Sequence, residues 1–231
     1  MASPANEQPI RTFGRRKGHR LSPRKEKLFA ELLPKLQVNL QAPPPAPLET
    51  IFASPVSETW LEVGFGAGEH ISWQAQQNPH TGIIGCEPFI NGVAALLGSI
   101  DHTNPGNIAI WDGDARDVLN WLPDASLSRV FVLHPDPWPK ARHHKRRFIS
   151  ADVLSHLARL MKSGAELRIA SDIPDYVRSS LLAVRQNGQF QWTAQRPADW
   201  RERADDWPQT RYEKKALREG RTPTYLKFIR R

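Results

Sequence analysis

Short apolar runs recur from residue 58 onwards, separated by longer stretches with helical spacing. We interpret seven of these runs as strands: residues 59–63, 82–86, 107–111, 129–133, 166–170, 190–193 and 225–229. The runs are largely apolar rather than alternating, which indicates strands that are covered on both faces. Helical stretches lie between the first six runs. This order predicts a doubly wound α/β domain with a mostly parallel, seven-stranded sheet.

A separate helical pattern precedes the sheet. Ser22 and Pro23 predict a helix start, as cap and first helical residue. Apolar residues follow at helical spacing, namely Leu28, Phe29, Leu32, Leu33 and Leu36. The proline-rich residues 41–47 predict an extended linker. We therefore divide the chain into a basic flexible arm over 1–20, a helical extension with its linker over 21–47, and the α/β domain over 48–231.

The composition is that of a soluble globular protein. The chain has 231 residues, of which 39% are hydrophobic and 24% charged. Its one cysteine, Cys86, excludes an internal disulfide and a cysteine-rich zinc site, and we expect no bound metal. No apolar run approaches the roughly 20 residues of a membrane span, and the N-terminus does not resemble a secretory signal. We predict a cytoplasmic protein without a membrane partner.

The net charge of +8 is unevenly distributed. Residues 1–27 carry a net +6, residues 136–147 a net +4 and residues 211–231 a net +6, whereas the rest of the chain carries −8. Basic segments of this kind supply phosphate contacts, and they favour a nucleic-acid partner. The alternative is that the basic runs are only solvated faces or tails.

A glycine loop follows the first strand, with glycines at 64, 66 and 68. Ligands of open α/β sheets bind at the carboxyl ends of the strands, where this loop is expected to lie. In the dinucleotide fingerprint, a third glycine would stand at the position of Glu69, and a carboxylate there would repel a pyrophosphate. The loop therefore disfavours NAD and FAD. A tight structural turn is the alternative reading.

Three carboxylates stand at the ends of neighbouring predicted strands: Glu62, Glu87 and Asp114. S-adenosylmethionine has no phosphate, and it offers a sulfonium, an ammonium and ribose hydroxyls that carboxylates complement. Glu87 suits the ribose hydroxyls, Asp114 the adenine amino group, and Glu62 the methionine end or its waters. Any one of the three could instead cap a helix, but together they favour a cofactor site.

A proline-rich segment, His134 to Lys140, follows the fourth strand. Its three prolines restrict the backbone around Asp136, which can accept hydrogen bonds from a base edge or from the cofactor amine. Trp138 offers a stacking face for an unstacked base. The basic residues that follow, which we predict to bind RNA, are Arg142, His143, His144, Lys145, Arg146 and Arg147. The alternative is a rigid turn with Trp138 in the core.

These segments resemble the bacterial tRNA (guanine-N7-)-methyltransferase family. The matching segments are Arg11–Arg16, Glu62–His70, Asp136–Lys140, Arg142–Arg147, Ser171–Asp172 and Thr210–Glu213. The Asp-Pro-Trp-Pro-Lys block with its basic run is the most specific of them. The resemblance extends from about residue 11 to the end of the chain, whereas the proline-rich residues 41–47 match no motif of the family.

The resemblance implies a class I methyltransferase-like, Rossmann-like fold and methyl transfer from S-adenosylmethionine to N7 of guanine 46 in the variable loop of tRNA. It implies that Asp136 is catalytic. The cofactor-binding residues that it implies are Glu62, Gly64, Gly66, Gly68, Glu87, Asp114 and Asp136. The implied substrate-binding residues are Lys140, Asp172, Thr210, Arg211, Tyr212 and Glu213, and residues 142–147 are implied to bind RNA.

The chemistry agrees with this expectation. Guanine N7 has a free lone pair and needs no general base, so the enzyme mainly aligns the reacting atoms. A carboxylate such as Asp136 or Asp172 would stabilise the purine cation that forms. Two alternatives stay open: a class I methyltransferase that acts on another RNA base or on a protein, and a non-catalytic RNA-binding module on the same fold.

Overall fold

The computed structural model of the chain describes residues 14–103 and 105–231, and its centre is one seven-stranded sheet. The strands are β1 (Glu58–Val63), β2 (Thr81–Cys86), β3 (Ile108–Trp111), β4 (Leu127–Leu133), β5 (Met161–Ser171), β6 (Phe190–Trp192) and β7 (Thr224–Arg230). Their order in the sheet is β3-β2-β1-β4-β5-β7-β6. Strand β7 runs antiparallel to the other six strands, which all run in one direction. The predicted doubly wound, mostly parallel sheet is confirmed.

One strand boundary differs clearly from the prediction. β5 begins at Met161 rather than at residue 166. Met161 pairs with Leu127, and the register then shifts before Glu166 pairs with Arg129. The intervening residues 162–164 are exposed and polar, and Gly164 has a φ of 83°. These exposed residues interrupt the apolar pattern of β5, although the strand continues through them with an irregular register, and the sequence therefore predicted too late a start.

Helices cover the sheet and precede it. They are α1 (Pro23–Glu31), α2 (Leu33–Leu36), α3 (Glu69–Gln77), α4 (Ile90–Ile100), α5 (Ala115–Trp121), α6 (Ala151–Leu160), α7 (Pro174–Asn187), α8 (Ala198–Arg201) and α9 (Arg211–Arg218). Short 3₁₀ helices span Leu48–Ile51 and Ala141–Arg146. The predicted start at Pro23 is confirmed, but α1 ends before Pro34, which lacks the N–H that would continue the helix. None of the helices described is long and apolar enough to cross a membrane.

Successive side chains of each strand enter opposite layers. Trp60 packs in the layer that contains α3, α4 and Leu33 of the N-terminal helices, and Leu61 packs in the layer of α5, α6 and α7. Because helices occupy both faces, the loops at the carboxyl ends of the strands are the part of the sheet open to a ligand.

The N-terminal segments contact this body at several points. The linker over residues 41–47 has no regular structure, and the carbonyl of Ala42 accepts a hydrogen bond from the Trp121 indole at 2.7 Å. In the described part of the arm, the Arg16 carbonyl accepts a hydrogen bond from the Ile90 N–H. Residues 11–13 of the first family motif lie outside the described residues. The flexibility of the arm and the division into three segments stay predictions.

The end of the glycine loop packs tightly on α4, and substitutions of Gly68 and Gly98 test this packing. Gly68 has a φ of 84°, and a Cβ there would lie 2.6 Å from Cδ1 of Leu96, whereas a Cβ on Gly98 would meet nothing within 4 Å. We expect Gly68→Ala to lower the free energy of unfolding by about 1–3 kcal/mol, because it adds backbone strain and a clash. The matched control, Gly98→Ala in helix α4, should raise it by up to about 1 kcal/mol. Urea unfolding measures both, and equal effects would contradict this prediction.

Candidate active site

The glycine loop leaves open space beside its backbone. Gly64 and Gly66 have φ values of 73° and 58°, and a Cβ at either position would meet nothing within 4 Å. The Gly64 N–H donates to the carbonyl of Cys86 at 2.8 Å, which ties the loop to the end of β2. Any other residue would strain the turn and fill this space. The loop therefore forms a cradle in which a ligand can lie against the backbone.

Glu87 borders the cradle and holds its shape. Its Oε2 accepts the Gly66 N–H at 2.7 Å, and its Oε1 accepts the Phe89 N–H at 2.9 Å. Burial raises the pKa of Glu87, the two backbone hydrogen bonds oppose this shift, and the charges of Asp136 and Glu62 raise the pKa further. The charges of Asp136 and Glu62 thus act on Glu87 at one edge of the sheet. A cationic ligand would relieve their repulsion.

Glu62 points beneath the loop into the layer of α3. It is 2% exposed, and its Oε2 lies 2.7 Å from Nδ1 of His70. The Gln74 amide nitrogen lies 3.2 Å from the other ring nitrogen of His70 and donates to the carbonyl of Asp206 at 2.8 Å. Because an amide nitrogen only donates, the ring proton is assigned to Nδ1, facing Glu62. This buried chain joins the end of β1 to the residues that precede α9.

Asp114 caps helix α5. Its side chain accepts the Arg116 N–H at 3.0 Å and pairs with the Arg116 guanidinium at 3.1 Å. Asp114 therefore caps a helix, which is the alternative that the sequence leaves open. Its contact with a cofactor stays a prediction. Within residues 14–103 and 105–231, no group of three or more His, Cys, Asp and Glu side chains is arranged to hold a metal ion.

The loop that carries Asp136 is shaped by backbone angles and by Arg147. His134 and Trp138 have positive φ values of 48° and 42°, and Asp136 itself is exposed between them. The Arg147 guanidinium donates to the carbonyl of Pro137 at 2.9 Å. A carboxylate on a loop held in this way needs little reorganisation when a ligand arrives.

Trp138 lies at the surface of this loop and is half-buried. The Arg146 guanidinium lies 4.9 Å from the Trp138 ring centroid, and the His143 ring meets it edge-on at 5.9 Å. The ring is therefore not a core residue. Its stacking on a base stays a prediction.

Arg147 differs from the rest of the predicted RNA-binding run. It is 4% exposed, and its guanidinium also donates to the Ser179 hydroxyl at 2.8 Å and pairs with Asp175. The Arg147 guanidinium therefore has partners inside the protein, and its predicted contact with RNA stays a prediction. Arg142 and Lys145 are exposed.

Three further residues of this segment differ in the exposure of their side chains. His143 and His144 are partly buried, and Lys140 is exposed at the same edge of the sheet. For these residues, contact with RNA or with the substrate stays a prediction.

Asp172 follows β5 and sits among cationic and aromatic groups. Arg221 Nε donates to its Oδ2 at 2.6 Å, and His134 Nδ1 lies 3.5 Å from its Oδ1. Burial raises the pKa of Asp172, but the hydrogen bond from Arg221, a backbone hydrogen bond and the nearby His134 together outweigh this effect, and the pKa lies below its usual range. Burial lowers the pKa of His134, and the exposed Tyr212 ring stacks on it at 6.3 Å. Nothing in the sequence pattern indicated that His134 would contact Asp172, although His134 stands only two residues before Asp136.

Helix α9 begins with the predicted substrate segment, and its residues divide by burial. The Thr210 hydroxyl accepts the Glu213 N–H at 3.2 Å and caps the helix. Glu213 is 3% exposed and accepts hydrogen bonds from Tyr225 at 2.8 Å and Arg203 at 3.1 Å. Its carboxylate therefore holds α9 from inside, and its contact with the substrate stays a prediction. Tyr212 is 65% exposed and faces the site.

Solved structures share the fold at low identity. One described as an antibiotic related methyltransferase matches with a TM-score of 0.54 and 16% identity, over 80% of this chain and 92% of that chain. The 16S rRNA methyltransferase KamB matches with a TM-score of 0.54 and 14% identity, over 81% of this chain and 94% of its own. The chain thus has the class I methyltransferase fold.

Closer similarity is found in sequence. A family profile described as "Putative methyltransferase" matches residues 57–226. The tRNA (guanine-N(7)-)-methyltransferase of Jannaschia sp. is 50% identical over 100% of this chain and 99% of its own. The enzyme of the same name from Brucella melitensis is 48% identical over 95% and 94% of the two chains. The chain belongs to the tRNA (guanine-N(7)-)-methyltransferase family.

Proposed function

We propose that this protein transfers a methyl group from S-adenosylmethionine to N7 of guanine 46 in the variable loop of tRNA, in the cytoplasm. The observation that carries the proposal is the edge of the sheet where the glycine cradle lies beside Glu87, and where the charges of Glu62 and Asp136 both act on Glu87. The exposed basic side chains of Arg142 and Lys145 follow that loop directly. Family membership favours this reaction over the others that the fold supports.

The cradle suits S-adenosylmethionine in shape and charge. S-adenosylmethionine supplies an electrophilic methyl group on a positively charged sulfur. Gly64 and Gly66 leave room for a molecule against the backbone, and Glu87 keeps acceptor sites for ribose hydroxyls because a carboxylate has about four of them. Glu62 contributes negative charge from beneath the loop, and Asp114 at the start of α5 is the acceptor that we assign to the adenine amino group.

On the substrate side, the side chains of the protein orient the guanine and balance its charge. N7 becomes part of a cation as it is methylated, so the carboxylate of Asp136 stabilises the transition state more than the ground state. Asp172, held ionised by Arg221, adds a second negative charge and an acceptor for the base. Tyr212 and Lys140, both exposed at this edge, are the remaining substrate contacts that we propose.

Replacing a single atom of the tRNA tests the proposal. We would incubate the protein and S-adenosylmethionine with two tRNAs that differ only at position 46, one with guanine and one with 7-deazaguanine, which lacks the nucleophilic nitrogen. We expect 7-methylguanosine in the first tRNA and no methylation of the second, by mass analysis of nucleosides. Methylation of another base would support the first alternative, and tRNA binding without any methyl transfer would support a non-catalytic module.

Asp136 gives a mutational prediction. We expect Asp136→Asn to lower the single-turnover rate of methyl transfer about 100-fold or more, because the charge that favours the purine cation is lost. The amide keeps the size of the side chain, so tRNA affinity should largely persist. The matched control is Asp152→Asn at the exposed start of α6, which should keep the wild-type rate.

The measurement uses saturating protein and cofactor, so that binding defects do not enter the rate. A near-normal single-turnover rate with a raised KM for S-adenosylmethionine would contradict a catalytic role for Asp136. Asp172 would then be the better candidate.

The basic run gives a further prediction. Replacing Arg142 and Lys145 with Ala should weaken tRNA binding and lower its log–log salt slope by roughly 0.7–0.9 per lost phosphate contact. Replacing Lys162 and Arg185, which are exposed at the opposite edge of the sheet, serves as the charge-matched control and should leave the slope unchanged. Arg147→Ala should instead lower the free energy of unfolding, because it leaves the partly buried Pro137 carbonyl and Ser179 hydroxyl without this donor. An unchanged slope in the first variant would mean that the run is only a solvated face.

A further inference from the structure

Glu69 is the first residue of α3, directly after the glycine loop, and the proposed reaction gives it no role. The structure joins it to the other end of the chain. Its Oε2 accepts the Arg211 N–H at 2.8 Å, and its Oε1 is paired with the Arg211 guanidinium. Arg211 is the first residue of α9. We call these two contacts between Glu69 and Arg211 the clasp.

The carboxylate of Glu69 lies at the N-termini of two helices, α3 and α9. Glu69 stands in the first turn of α3, and the amide it accepts is in the first turn of α9. The first N–H groups of a helix have no partner within the helix and favour negative charge. A carboxylate between two such starts is therefore stabilised by both, and it holds the glycine loop and the substrate segment at a fixed distance.

The clasp is also accessible to solvent. The side chains of Glu69 and Arg211 are 37% and 71% exposed. An ion pair with this exposure is screened by water and salt, so it contributes little to the overall stability of the fold. Removing it should loosen the start of α9 locally and leave the core intact.

The inner side of α9 is held by different contacts. Glu213 is buried against Arg203 and Tyr225, so the helix has a firm anchor on the inside. Between the inner anchor and the outer clasp lies Tyr212, whose ring stacks on His134 beside Asp172. The clasp and the inner anchor therefore hold the residues on either side of Tyr212 in the chain.

We propose that Glu69 is a positioning residue for the tRNA substrate, which acts by clasping Arg211 so that Tyr212 faces the target base. The proposal rests on the proposed function, because it takes tRNA as the substrate. It also revises the role of Arg211, which is predicted to bind the substrate: its guanidinium pairs with Glu69 and orients α9. Glu69, which in the sequence serves only to disfavour a dinucleotide cofactor, thereby has a role in placing the substrate segment.

A graded series of variants tests the clasp. Glu69→Ala removes both contacts and should raise the KM for tRNA about 2- to 10-fold, the scale of one hydrogen bond after exchange with water. Glu69→Gln keeps an acceptor for the Arg211 N–H and should give a smaller rise. The Kd of S-adenosylmethionine, measured by calorimetry, should change less than about 2-fold, because the first two glycines of the cradle are hydrogen-bonded to Cys86 and Glu87 rather than to Glu69.

The matched control is Glu31→Gln, which breaks an exposed ion pair between Glu31 and Lys27 on α1 and should change neither constant. A double-mutant cycle with Arg211→Ala adds a second criterion. If Arg211 acts through Glu69, the double variant should be no worse than the more damaging single variant. Effects that add would mean that Arg211 contacts RNA itself, and they would overturn the proposal.

Hydrogen exchange separates this proposal from the proposed reaction. Without any substrate, amides of residues 211–218 should exchange faster in Glu69→Ala than in the wild type, and those of α1 should not change. Unchanged exchange in α9, or a raised cofactor Kd with an unchanged KM for tRNA, would overturn the clasp. If the wild type did not methylate guanine N7, the proposed function would fail, and the exchange measurement would still decide whether the clasp holds α9.

Discussion

Negative charge gathered at one edge of the sheet is the constraint on which the rest of the site depends. Each carboxylate there has its own partners: Glu62 has His70, Glu87 has two backbone amides, Asp114 has Arg116, and Asp172 has Arg221. Charges that are taken out of water are tolerated only when nearby donors or opposite charges replace the lost hydration. The repulsion is therefore offset locally, one carboxylate at a time, and the edge as a whole still favours a positively charged ligand.

The last part of the chain contributes Arg221 to this compensation and also packs against His70, the partner of Glu62. Between β6 and β7 it returns across the layer of α3, where the Asp206 carboxylate receives two hydrogen bonds of 2.8 Å from the buried Arg168. The Trp207 ring then packs edge-on against the rings of His70 and Tyr225. The same segment thus braces the residue that orients Glu62 and leads into α9. Cofactor loop and substrate helix are parts of one packed unit.

The sequence predicted the strands and the carboxylates at their ends, because both follow from local patterns and from the geometry of parallel sheets. It did not predict the partners of those carboxylates. His70 and Arg221 meet them only through tertiary packing, over distances along the chain that no periodicity records. The start of β5 was missed for a related reason, since an exposed polar segment continues the strand by pairing with β4. Local chemistry was readable, whereas long-range pairing was not.

Burial, rather than membership of a motif, decides what each residue can do. In three family motifs an exposed residue stands close to a buried one: Lys145 to Arg147, Tyr212 to Glu213, and Glu69 to His70. A base or a phosphate arrives from solvent, so Lys145 and Tyr212 are the members of their pairs that can meet it, whereas the exposed Glu69 contacts Arg211. Arg147 and Glu213 are buried ions and need protein partners, because an unpaired buried ion is costly, and the buried His70 is hydrogen-bonded to Glu62. Substitution of either member should reduce methyl transfer, but the exposed one should change binding and the buried one the stability of the loop or helix that presents it.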